Sequence, residues 1–89
     1  MLQTPPHQRS LSVEAAVGDA IDASARLLAD IAKFGLALTE LHVTHDSGGA
    51  GSLRMRLEAP GDLDLDNIAA RLRRHLSVVS LVCADQHAA

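Results

Sequence analysis

The apolar pattern of this 89-residue chain predicts an α+β fold, with two helices laid on one face of a four-stranded antiparallel sheet. Three observations lead there. Four segments alternate apolar and polar residues with period two, or run rich in β-branched residues, as strands do. Two segments repeat apolar residues at helical spacing and carry capping residues at their ends. The six segments follow one another in the order β-α-β-β-α-β, and right-handed crossovers then set both helices on the same side of the sheet.

The elements follow in order. Met1–Arg9 is polar and holds a Pro-Pro pair, so it reads as a disordered N-terminal tail. Ser10–Val17 sets Leu11, Val13, Ala15 and Val17 on one side, a half-buried strand broken by Gly18-Asp19. Ala20–Phe34 repeats Ile21, Ser24, Leu27, Leu28 and Ile31 at helical spacing. Asp19 or Asp22 can cap its start, and Gly35 its end. Leu36–His45 reads as a second strand, with Thr39, Leu41, Val43 and His45 on one face and Leu38, Glu40, His42 and Thr44 on the other.

A glycine-rich link, Asp46–Gly51, joins it to Ser52–Glu58 as a hairpin. In that third strand Leu53, Met55 and Leu57 point one way, and Arg54 and Arg56 the other. Asp64 caps a second helix of roughly Leu65–His75, with Leu65, Ile68, Ala69, Leu72 and Leu76 inward. Ser77–Ala84 is the last strand, and Asp85–Ala89 a C-terminal tail. One domain over residues 10–84 results, ferredoxin-like, with sheet order 4-1-3-2.

Composition narrows the function. Net charge is -3, so there is no basic field for phosphates, and nucleic acid is not an expected partner. Phe34 is the one aromatic residue, which leaves no stacking platform for bases. Cys83 is the one cysteine, so neither a disulfide framework nor a Cys-x-x-Cys site is available. No apolar run reaches the ~18 residues that span a bilayer, and the start lacks an export pattern. A cytoplasmic setting without membrane contact is the expectation.

Chemistry-bearing residues are sparse. His42 and His45 sit three apart on a strand and point to opposite faces, so they do not share a metal. Gly48-Gly49-Ala50-Gly51 lacks the Lys-Ser/Thr of a phosphate loop. No nucleophile and base stand in a recognisable pattern, so neither catalytic residues nor a cofactor are expected. Glu14, Glu40, His42, Arg54 and Arg56 fall together on the helix-free face of the sheet, with Glu14 across from one arginine and Glu40 facing the other. The second and last strands lack Pro and Lys guards, and Val78 and Val82 face the open side. A small core with such edges predicts a homodimer joined along sheet edges.

The stretch Ala25-Arg26-Leu27-Leu28-Ala29-Asp30-Ile31-Ala32-Lys33-Phe34-Gly35-Leu36-Ala37-Leu38-Thr39-Glu40-Leu41-His42-Val43 resembles ACT domains. It is most similar to the small regulatory subunits of acetohydroxyacid (acetolactate) synthase, in which a helix ends in Gly-Phe-Asn-Ile and runs into a strand. Ser52-Leu53-Arg54-Met55 and Leu72–Val79 share the likeness. The resemblance implies a non-catalytic, allosteric regulatory domain that binds an amino acid at a dimer interface. Its partner would be a biosynthetic enzyme subunit, in branched-chain amino-acid synthesis.

In that family the ligand lies between the loop after the first strand and the start of the neighbour's second strand. Here those positions are Gly18, Asp19, Asp22 and Ala23, with Ala37 and Leu38. The chain departs from the pattern where Asp22 replaces a glycine and Ala37 an asparagine. A carboxylate at Asp22 is expected to take the helix-end N–H groups that a ligand would use. The alternative is therefore a ligand-free dimerisation or protein-interaction module with a degenerate pocket.

Overall fold

The structure, a computed structural model, describes residues 8–86. Its elements are β1 (Gln8–Val17), α1 (Ala20–Lys33), β2 (Ala37–His45), β3 (Gly51–Pro60), α2 (Leu65–Leu72) and β4 (Val78–Gln86). The sheet is antiparallel throughout, in the order β2-β3-β1-β4. This is the ferredoxin-like βαββαβ arrangement, with the expected strand order read from the other edge.

The alternation of β1 and β3 decides where the core lies. Leu11, Val13, Ala15 and Val17 stand opposite Leu57, Met55, Leu53 and Gly51. Every one of these apolar side chains is buried. From α1 come Ala23, Leu27 and Ile31, and from α2 Ile68, Ala69 and Leu72. Each buried Leu, Val, Ile or Met contributes about 1.5–3 kcal/mol relative to exposure. Phe34 is only half-buried at the rim, with the Arg71 guanidinium 5.5 Å from its ring centroid.

Helix α1 ends as its glycine suggested. Gly35 has φ +74, donates to Ala32 O at 3.1 Å, and Leu36 N–H reaches Ile31 O at 3.1 Å. These two bonds make a Schellman motif, closed by buried Leu36 against buried Ile31. The glycine-rich link forms the expected hairpin. A Cβ at Gly51 would collide with the Thr44 carbonyl, so that position admits only glycine.

Several boundaries and faces differ from the sequence expectation. The N-terminal tail was expected over residues 1–9, but Gln8 and Arg9 belong to β1. Asp85 and Gln86, expected in the C-terminal tail, belong to β4. The Arg9 guanidinium holds Asp85 through two 2.8 Å bonds and donates to Leu63 O at 2.9 Å. These contacts join chain ends that share no local pattern. Residues 1–7 and 87–89 lie outside the described residues.

Helix α2 stops at Leu72 rather than His75. Arg73 caps it, and its side chain donates to Leu81 O at 3.0 Å. The chain then turns toward α1, which leaves Leu76 fully exposed rather than inward. In β2 the register slips between Leu38 and Glu40, so Thr39 is an extra residue whose hydroxyl donates to Arg56 O. The bulge moves Leu38 to the same face as Leu41 and Val43, because they oppose Leu57, Met55 and Leu53. A second slip, at Val79, turns Val78 against the core and leaves Val82 on the open face.

Candidate functional site

The start of α1 is built from three separate pieces of chain. Asp19 is the N-cap, and its Oδ1 accepts from Asp22 N–H at 3.0 Å. Its carbonyl accepts from Ala23 N–H at 2.9 Å. Ala20 N–H donates to Gly49 O, in the β2–β3 turn, at 2.8 Å. Gly18 N–H donates to Ser77 O at 2.7 Å. Among the described residues, Ile21 N–H is the first-turn amide left without a partner. The helix end that would receive an anion is thus occupied by Asp19 and by the hairpin turn.

Asp22 plays a different part from the one expected. Its carboxylate does not take helix-end N–H groups. It accepts from the Ser77 hydroxyl at 2.7 Å and from Arg26 Nε at 3.0 Å. The Ser77 hydrogen bond, then that of Arg26, holds its pKa below the ordinary aspartate range. The N-cap geometry explains the change: Asp19 already fills the short-range capping position. Asp30 continues the same side of α1 and meets His75 Nε2 at 2.6 Å. Neither Ser77 nor His75 is marked by any local sequence signal.

The second expected half-site, Ala37 and Leu38, lies at the far end of α1. Helix α1, whose fourteen residues rise about 21 Å at 1.5 Å per residue, carries the first half-site at its start and leads to the second beyond its end. One chain therefore does not bring Gly18, Asp19, Asp22 and Ala23 together with Ala37 and Leu38. Leu38, Leu41 and Val43 are 36–40% exposed along β2, the outer strand. Ile21, on α1, is 78% exposed.

The open face of the sheet carries the expected polar residues in the expected register. Glu14 opposes Arg54, which opposes His42; Glu40 opposes Arg56. Glu40 accepts from His42 Nε2 at 2.9 Å and stands 3.6 Å from Arg56 Nε. The His42 hydrogen bond, followed by the charge of Arg56, lowers the Glu40 pKa. Among the described residues, Glu14 and Arg54 make neither an ion pair nor a hydrogen bond. Between these side chains lies a hollow of about 160 Å³.

Other chemistry is thin on the ground. Cys83 is a free thiol whose pKa burial pushes up, the opposite of an activated nucleophile. Among the described residues, no three His, Cys, Asp or Glu side chains gather around a possible metal position. No helix among them is long and apolar enough to cross a membrane.

No protein-family model matches the chain, and no curated protein matches its sequence. Solved structures do. The C-terminal domain of the MgtC protein from Mycobacterium tuberculosis superposes with a TM-score of 0.72 at 13% identity, covering 94% of both chains. The ACT domain of GTP pyrophosphokinase from Chlorobium tepidum gives 0.71 at 12% identity, covering 86% of this chain and 99% of that one. The P2 domain of the chemotaxis kinase CheA, in complex with the response regulator CheY from Thermotoga maritima, gives 0.70 at 3% identity, covering 89% and 99%. At such identities the likeness is one of fold, and the fold is of the ACT type that the GTP pyrophosphokinase domain carries.

Proposed function

We propose that this protein is a non-catalytic regulatory domain that works as a dimer paired along β2, takes a small metabolite, an amino acid, between the two copies, and acts on a partner enzyme. The observation that carries the reading is the β2 edge. It has neither Pro nor Lys, and it presents Leu38, Leu41 and Val43 beside a row of backbone groups that no other described strand pairs. Antiparallel pairing of two β2 strands centred near Leu41 sets the partner copy's strand start beside this copy's His45. Next to His45 is the turn whose Gly49 carbonyl caps α1. The half-sites that one chain holds at opposite ends of α1 would then meet across the interface.

The regulatory part of the reading is supported by the ACT-type fold, which the ACT domain of a GTP pyrophosphokinase shares. Ligand bridging two copies favours one dimer geometry over another, and that differential affinity is the signal. The likeness of Ala25–Val43 to the small subunits of acetohydroxyacid synthase supports a biosynthetic enzyme of branched-chain amino acids as the partner. A second reading, a ligand-free interaction module, is favoured by one feature: Asp19 and Gly49 already occupy the α1 N-terminus.

Two measurements test this. Light scattering at matched concentration should give Leu41→Lys half the mass of wild type; equal masses would refute edge pairing. A thermal-shift screen over the amino acids separates the two readings. A ligand at 100 times its dissociation constant adds about 2.7 kcal/mol. A flat response to every amino acid leaves the interaction module.

A further inference from the structure

From the register of the four strands we infer that the open face of the sheet is a second self-association surface, on which two copies stack face to face about a two-fold axis parallel to the strands. This lies beyond the edge pairing proposed above and does not depend on it.

The argument is geometric. In the order β2-β3-β1-β4 the middle of the sheet falls between β3 and β1. A two-fold axis along that line lays β3 of one copy over β1 of the other, and β2 over β4. Residues in one cross-strand row stay in that row. Arg54 and Glu14 share a row. The operation therefore sets Arg54 over the partner copy's Glu14, and Glu14 over its Arg54. These are the two facing charges that make no ion pair or hydrogen bond among the described residues.

Side-chain heights agree with the same operation. The β2–β3 half of the face carries long side chains, while most of the β1–β4 half is low. Arg56 shares its row with Ser12, and Ser12 with Ala84. Stacking thus lays Arg56 over a serine and Glu40 over an alanine. In the next row His42 falls over Val82, which is 63% exposed. Each copy fills the other's shelf, and the hollows on this face receive the partner's side chains. A two-fold partner matches both the charges and the heights, and such a contact is reciprocal.

The area suits a reversible contact. Four strands ~4.8 Å apart and about eight residues long at ~3.3 Å give roughly 500 Å² a side, or about 1,000 Å² in all, the lower end for a specific interface. Twist of the two sheets relaxes strict alignment by about 30°, which long arginine side chains span.

The test is charge reversal in the Leu41→Lys background, where edge pairing is blocked, read by sedimentation velocity over a concentration series. The parent should dimerise in a concentration-dependent and salt-sensitive way. Glu14→Arg and Arg54→Glu should each be monomeric, because each places like charges opposite one another. Mixed in equal amounts, the two variants should dimerise again, since both contacts become attractive. A monomeric parent, single variants that associate as the parent does, or a mixture that stays monomeric would each overturn the inference. Unchanged far-ultraviolet circular dichroism of every variant confirms that only association is being read. Failure of edge pairing shows instead as equal masses of wild type and Leu41→Lys, whatever the charge variants do.

Discussion

Ser77 donates its hydroxyl to Asp22 Oδ2 at 2.7 Å across 55 positions of sequence. The bond fastens the first turn of α1 to the segment that leads into β4. Gly18 N–H reaching Ser77 O is its backbone companion. Together with Gly49 O on Ala20 N–H, it makes the α1 start a junction of three loops. A ligand arriving at this end would therefore report to both the hairpin turn and the α2–β4 connection.

The junction has an acid signature. The Asp22 pKa is lowered in the folded chain, first by Ser77 and then by Arg26. Between the folded and unfolded values the unfolded chain binds more protons, so stability rises with pH. The contribution is complete above the ordinary aspartate pKa of about 3.9 and is lost as pH falls through the folded value. Urea unfolding from pH 6 down to pH 2 should show a steeper acid loss for wild type than for Asp22→Asn. Ser77→Ala should lie between them and melt a few degrees lower than wild type at pH 7. Parallel curves for all three would remove Asp22 from the account.

Gly35 gives a backbone prediction. With φ at +74, a Cβ there meets no neighbour within 4 Å, so any cost is conformational and not steric crowding. Gly35→Ala should destabilise by about 1 kcal/mol, with Gly35→Asn milder because asparagine tolerates the left-handed region. Chemical denaturation reads both. An alanine variant as stable as wild type would contradict the Schellman ending.

Much of this fold was legible because its information is local. Period-two alternation in β3 and the capping aspartates Asp19 and Asp64 each act within a few residues. The errors share the opposite cause. Thr39 bulges because the edge strand must align Leu38, Leu41 and Val43 over β3, a requirement set by its neighbour. Helix α2 was read three residues too long because Arg73 finds Leu81 O and His75 finds Asp30, both outside the helical pattern. At the candidate site, the residue types near Gly18–Ala23 were visible, but their division of labour was not. Which carboxylate caps and which one tethers depends on Ser77, far along the chain.

Helix α1 separates folding from association. Leu27 has no exposed surface and Ile21 is 78% exposed, although both belong to the apolar repeat. Leu27→Ala should cost about 2–5 kcal/mol, a large share of the stability of a domain this small. Ile21→Ser should change monomer stability by less than about 0.5 kcal/mol. Denaturant midpoints in the Leu41→Lys background measure both without interference from β2 pairing. Equal losses for the two would mean that Ile21 is buried in the monomer.

The cap of α1 carries the last prediction, because it separates a blocked pocket from an absent one. Asp19 Oδ1 holds the Asp22 N–H, while Asp22 itself looks toward Ser77 and Arg26. Removing the Asp22 carboxylate therefore leaves the helix-end amide occupied, and Asp22→Gly should not create amino-acid binding. Asp19→Ala releases that amide and removes one negative charge, at about 1 kcal/mol of stability for the lost cap. If the site is merely blocked, Asp19→Ala should gain an amino-acid-dependent rise in Tm that wild type lacks or shows more weakly. A ligand response gained by Asp22→Gly and not by Asp19→Ala would reverse the roles assigned to the two aspartates.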